Sequence, residues 1–156
     1  MTGSEKEKTE RLHEDVTERV IGAAYKVYNT LGSGFLESVY ENAMVWELSK
    51  SFSSVLRQVP LVVLYDGQQV GRFEADIVVD GKVILELKAV ETLHRIHEVQ
   101  LVNYLKATGI EVGLLVNFGP ERMDIRRKAL RLPPLPSDPV LPVHPGIRSN
   151  SSEDKA

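Results

Sequence analysis

Cysteine is absent from the 156-residue chain, which rules out disulfides and thiolate zinc sites and leaves the redox compartment unconstrained. Long apolar runs are missing as well. No stretch approaches membrane-spanning length and the opening MTGSEKEKTE has no hydrophobic signal region, so no membrane association is expected and the cytoplasm is the default location. Charge of one sign does not dominate either: a net charge of −3 argues mildly against wholesale binding of nucleic acid. Acidic residues gathered around a cation would weigh in that total while serving a phosphate ligand. There is no internal repeat. What is present, 42% hydrophobic residues in a chain of this length, suits one globular domain with a substantial core.

Residues 1–10 are polar and charged, and are expected to be frayed. Leu12, Val16, Val20, Ala23, Ala24, Val27 and Leu31 recur at helical spacing and predict an amphipathic helix stopped by Gly32-Ser33-Gly34. A second helix is expected from about Leu36 to Lys50, with Leu36, Val39, Tyr40, Ala43, Met44 and Leu48 inward and Glu37 in its first turn, where a carboxylate is favoured by the helix dipole alone. Val59 to Tyr65 reads as a strand, Asp66-Gly67 as a turn, and the chain from Val70 as a strand leading into a hairpin. A helix from about Leu93 to Thr108 follows, its core arc predicted as Ile96, Val99, Val102 and Leu105, with His97, Gln100 and Tyr104 aligned on another face. Long polar and aromatic side chains at such spacing are usually a solvated face. Glu111 to Phe118 is an apolar run that fits a strand buried on both sides, reached by a crossover and paired in parallel. Arg122, Arg126, Arg127, Lys128 and Arg131 then form a modest basic patch, a candidate nucleic-acid contact if it is more than a solvated charge run. The single domain is expected to span residues 11–131. From Leu132 to the last residue, 156, six of the eight prolines fall in a tail expected to be extended.

The chemistry concentrates in Phe73 to Ala89, FEADIVVDGKVILELKA. Two strands flank Asp80-Gly81, and Glu86 and Lys88 share a face because side chains alternate along a strand. The turn decides where Asp76 points. A two-residue loop would pair Asp76 with Leu85 and turn it away from Glu86. A three-residue loop, Val79-Asp80-Gly81, pairs Val78 with Lys82 and Asp76 with Ile84, placing both carboxylates and the lysine on one side. It leaves Phe73, Ala75, Ile77, Val79, Val83, Leu85 and Leu87 as an apolar opposite side. The longer loop is the predicted one. Two carboxylates and a lysine on one patch of sheet must pair with each other or hold a metal, and an ion pair of Lys88 with Glu86 or Asp76 is the bland alternative.

Gly34-Phe35-Leu36-Glu37-Ser38-Val39-Tyr40 resembles the defining motif of the GxxExxY protein family. Asp76 with Glu86-Leu87-Lys88 resembles the D…ExK signature of the PD-(D/E)XK nuclease superfamily, to which that family is assigned. Gln100 with Tyr104 is similar to the QxxxY helix motif of the RecB-type branch. The likeness runs from about Val16 to Lys128, and Ala75 stands where the superfamily name has proline. The resemblance implies an α/β fold of restriction-endonuclease type, an αβββαβ core with a mixed central sheet flanked by helices. It also implies Asp76, Glu86 and Glu37 as Mg²⁺ ligands, with Mn²⁺ as a substitute, Lys88 as the residue that positions or activates water, and Gln100 and Tyr104 as orienting groups. The implied partner is DNA or RNA, with a homodimer as an option.

Independently of the name, oxygen ligands and a lysine suit Mg²⁺ better than zinc. The His94–His97 pair lacks a third zinc partner. The leading expectation is a Mg²⁺-dependent nuclease-like phosphodiesterase. The alternatives are an inactive nucleic-acid- or protein-binding module on the same fold, and a scaffold acting through the proline-rich tail.

Overall fold

In the computed structural model, which describes residues 2–10 and 12–131, the chain folds around the strand that carries Glu86. Strands β1 (Val55–Tyr65), β2 (Gln68–Val79), β3 (Val83–Lys88), β4 (Val112–Phe118) and β5 (Met123–Ala129) form one mixed sheet in the order β1-β2-β3-β4-β5. All neighbours are antiparallel except β3 and β4, which run parallel and are joined by helix α4 (Arg95–Thr108). A parallel pair needs such a crossover, and its strands are covered on both faces; accordingly every residue of β4 is buried. Helices α2 (Glu14–Leu31) and α3 (Glu37–Ser49) cover one side of the sheet through Val20, Ala24, Tyr40, Met44 and Leu48, packed on Ile77, Leu85, Leu87, Leu114 and Val116. Helix α4 covers the other through Leu101 and Leu105, packed on Val78, Ile84 and Leu115. The expected α/β architecture of a mixed sheet flanked by helices is the one observed.

Helix α4 turns inward a stripe that keeps Leu105 from the predicted arc but not Ile96 or Val99. Ile96 and Val99 are exposed, while Leu101 and Leu105 are fully buried. The sheet explains it: a Cβ on Gly113 would lie 2.6 Å from a Leu101 methyl, so Leu101 seats directly on the β4 backbone. That contact seats the helix so that, of the face of His97, Gln100 and Tyr104 expected to be solvated, His97 and Tyr104 are half-buried and Gln100 is exposed. Leu36, expected to be inward, is instead 77% exposed, because it is the residue before α3 and not part of its first turn.

The hairpin has the predicted loop length in a shifted position. Val79 pairs with Val83 and Ile77 with Leu85, leaving Asp80-Gly81-Lys82 as the loop. Asp80 (φ 49°) and Gly81 (φ 64°) both take left-handed backbone. Asp80 is drawn out of the strand by Ser54: its N–H donates to the Ser54 carbonyl at 2.8 Å, and its carboxylate accepts the Ser54 N–H at 3.0 Å. A shift of the pairing sum by two keeps the faces, so Asp76 comes opposite Glu86 rather than Ile84. The single apolar side predicted for β2 does not hold. Ala75 and Phe73 pack on the α4 side, whereas Ile77 and Val79 pack on the α2/α3 side. The alternation breaks at Asp76, opposite Gln58, whose φ is 49°.

Three further elements differ from expectation. Strand β1 starts at Val55 rather than Val59. Residues 3–10, expected to be frayed, form helix α1 (Gly3–Glu10), opened by reciprocal bonds between Thr2 and Glu5: the Thr2 N–H donates to the Glu5 carboxylate and the Glu5 N–H to the Thr2 hydroxyl. The basic segment is β5, a strand masked by its charges. The tail from Leu132 lies outside the described residues, and among the described residues no helix is long and apolar enough to cross a membrane.

Candidate nuclease site

The β2–β3 ladder ends at Ile77–Leu85, while β1 and β2 stay paired out to Tyr65–Gln68. Asp76 and Glu86 are the next residues beyond that end, where the strands part. Separation frees backbone N–H groups, which must find acceptors. The carboxylates supply them: the Leu87 N–H donates to Asp76 Oδ2 at 2.7 Å, and the Asp76 N–H donates to Glu86 Oε1 at 3.4 Å. Each acid closes the gap from the opposite strand.

Glu86 is 7% exposed. Burial, and after it the negative charge of Asp76, pushes its carboxyl up to about 9. Asp76 is also raised, chiefly by burial, with the Leu87 N–H pulling the other way. A site that forces a carboxyl to keep its proton at neutral pH is short of positive charge. Lys88 supplies part of it and favours ionisation of Glu37, Asp76 and Glu86 alike. The bland alternative is not realised: among the described residues Lys88 makes no salt bridge within 4.0 Å.

Glu37 opens α3 at the mouth of a small cleft of about 150 Å³ that it shares with Ser38, Glu41, Gln58 and Asp76. Burial of its carboxyl in this cleft raises it, with Lys88 acting against. The loop before Glu37 is held by Tyr40, whose hydroxyl donates to the Gly32 carbonyl at 2.6 Å and accepts the Phe35 N–H at 3.3 Å. The Tyr40 ring stacks on Phe118 at 4.3 Å, so the motif tyrosine fixes Glu37 through the fold rather than by touching it. From the α4 side, Tyr104 faces the acids, and burial and the charges of Glu86 and Asp76 raise its hydroxyl. Its ring stacks on Phe73 at 4.0 Å. Gln100, one turn earlier, lies on the groove beside it.

The sequence reading missed two participants. Glu41 is buried, one turn on from Glu37, and binds Arg57 at 3.0 Å and the Gln58 amide; the i, i+4 spacing from Glu37 was its signal. Gln58 carried no signal, since its left-handed backbone depends on the pairing partner. The basic segment is not gathered at the site. Arg126 and Lys128 both bind Glu98 of α4, at 2.7 and 2.8 Å, and Arg126 also binds Asp124. Arg127, on the other face of β5, donates to the Leu12 carbonyl at 2.6 Å. Arg122 lines a separate hollow with Glu91, Thr92 and Glu121. The His94 N–H donates to His97 Nδ1 at 3.1 Å, a helix-capping role.

Among the described residues no three His, Asp or Glu side chains are already gathered as a metal cage. The donor set nevertheless fits Mg²⁺: two adjacent carboxylates in an electrostatically deficient pocket match an ion that keeps several of its waters and needs only one or two protein acids.

The model of the PD-(D/E)XK nuclease superfamily matches residues 14–128. The chain belongs to that superfamily. The matched range covers α2 through β5 and includes Glu37, Asp76, Glu86, Lys88, Gln100 and Tyr104. Among solved structures, the crystal structure of SSO0001 is similar at 20% identity with a TM-score of 0.49, over 62% of this chain and 52% of that one. The superfamily member described here therefore spans about half the length of that protein. No curated protein matches the chain.

Proposed function

We propose that the protein is a Mg²⁺-dependent nuclease-like phosphodiesterase of the GxxExxY type, with the QxxxY helix of the RecB-type branch. The observation that carries this reading is the meeting of Asp76 and Glu86 across parted strands, with Glu86 pushed up to about 9 and Lys88 on the same side. Asp76 and Glu86, aided by Glu37, would hold the metal. When bound it supplies positive charge to the phosphate and makes a coordinated water more acidic. The chain itself does the rest. Lys88 stands as a point charge beside the acids, suited to align the attacking water and to stabilise charge on the phosphate oxygens as the water–phosphorus bond forms and the bond to the leaving sugar oxygen breaks. Tyr104 and Gln100 wall the site on the α4 side and orient the nucleic acid.

Incubation of labelled DNA and RNA with the protein and Mg²⁺ or Mn²⁺ tests this. Cleavage by the wild type, abolished in an Asp76→Ala variant and slowed by about 10²–10³-fold in Lys88→Ala, both with unchanged folding, is the expected result. A well-folded wild type that cuts neither polymer, together with equal metal binding by Asp76→Ala, overturns it.

A further inference from the structure

One buried polar side chain lies outside the motifs that point to the site. Asn117, on β4, is 2% exposed. Burying a carboxamide is costly unless its donor and its acceptor are both matched. Here a single residue matches both: the Val90 N–H donates to Asn117 Oδ1 at 2.9 Å, and Asn117 Nδ2 donates to the Val90 carbonyl at 2.9 Å. The β3–β4 ladder stops at the pair Lys88–Asn117, so Val90 lies two residues beyond its end. The side chain of Asn117 therefore does for Val90 what a neighbouring strand does for a paired residue, and the chain stays pinned past the last rung.

The register sets Asn117 directly beside Lys88. Their side chains share a face: Ile84 and Leu115 both pack on the α4 side, and alternation along each strand brings Glu86, Lys88 and Asn117 to that side. Lys88 is thus held on both flanks, by the ladder before it and by the clamp on Val90 after it. Its neighbour across the sheet is also uncharged. An aspartate at position 117 would be the same size, yet it could not donate to the Val90 carbonyl. It would also set a carboxylate one strand spacing, about 4.8 Å, from the lysine and capture its ammonium in an ion pair. Resting on the proposed nuclease reading, we propose that Asn117 is the positioning residue for Lys88: its two-way clamp on Val90 fixes the end of β3, and its neutrality leaves the ammonium available to the phosphate at Asp76 and Glu86.

Cleavage kinetics of the full chain, with melting curves to verify folding, test this beside a spectroscopic readout that needs no turnover. Asn117→Ala should lower kcat about 10²-fold, the cost of a misplaced catalytic group, with KM unchanged. In a Lys88→Ala background the same change should alter kcat by less than about twofold, whereas a purely structural loss would cost as much in either background. Asn117→Asp still accepts the Val90 N–H, which keeps the test open if the alanine variant folds poorly, and it should lose at least as much activity. Independently, the Lys88 Cε resonance of protein carrying isotope-labelled lysine, recorded in EDTA and assigned by its absence in Lys88→Ala, should move in both Asn117 variants. The resonance of Lys128, held by Glu98 at 2.8 Å, should stay. An unmoved Lys88 resonance, or losses from Asn117→Ala and Lys88→Ala that simply multiply, overturns the positioning role and leaves the nuclease reading standing. A wild type that cuts nothing while the Lys88 resonance moves sinks the nuclease reading and retains the placement of Lys88 by Asn117.

Discussion

Replacing Glu86 by glutamine should change how the metal-free protein responds to pH more than any other single substitution. The carboxyl sits at about 9 in the folded protein against 4.5 when unfolded. A group raised in this way keeps its proton in the folded state where the unfolded chain has lost it, so its contribution is complete below pH 4.5 and declines as pH rises toward 9. At 1.36 kcal/mol per pH unit across the interval from 4.5 to 7, the wild type should lose about 3 kcal/mol of stability through this one residue. For a chain of this size that corresponds to roughly 10 °C in melting temperature. The glutamine variant has nothing to ionise there and should not show the decline. Melts or guanidinium titrations in EDTA at pH 5 and pH 7 measure the difference between the two proteins, which cancels the titration of the other acids. Mg²⁺ added at neutral pH should raise the wild-type melting point, since an ion that binds only the folded form stabilises it by mass action; the glutamine variant should respond less. Parallel pH profiles for the two proteins would show that Glu86 is not held protonated by the fold, and the account of a charge-deficient site would fall with it.

Lys88→Ala should lower the cleavage rate by about 10²–10³-fold while leaving the melting temperature near wild type, as single-turnover kinetics and calorimetry would show. Glu41→Gln, which weakens the hold on Arg57 and Gln58 beneath the cleft, should destabilise the fold by about 1–2 kcal/mol, read from denaturant midpoints. Gly113→Ala forces the buried Leu101 methyls to move and should cost about 1–3 kcal/mol; an alanine variant as stable as wild type would mean α4 is free to slide. Tyr40→Phe removes the hydroxyl that joins Gly32 to Phe35 and should reduce activity through Glu37 more than it reduces stability by melting.

The sequence made the elements and their order readable because apolar residues repeat at the right periods in α2, α3, β3 and β4. It made the shared face of Glu86 and Lys88 readable because side chains alternate along β3, whereas the alternation of β2 breaks at Asp76, so loop parity alone does not place that residue. The shift of that loop was not readable, since it depends on Ser54, which lies far away in sequence and binds Asp80 only once the strands pair. Nor was the rotation of α4. Ile96 and Val99 look like core residues, and nothing local reveals that Gly113 on a distant strand leaves room for Leu101 instead. Strand β5 went unread because Arg126 and Lys128 find their counter-charge on Glu98 of another element.

The bond from the Leu87 amide to Asp76 has a practical corollary. Any cation that draws electron density from that carboxylate weakens a hydrogen bond from a backbone amide to a side chain beside the centre of the sheet, so ion occupancy becomes visible at a backbone nucleus. The Leu87 proton resonance should move upfield as divalent ion is titrated in, giving a reporter of loading that needs neither substrate nor label.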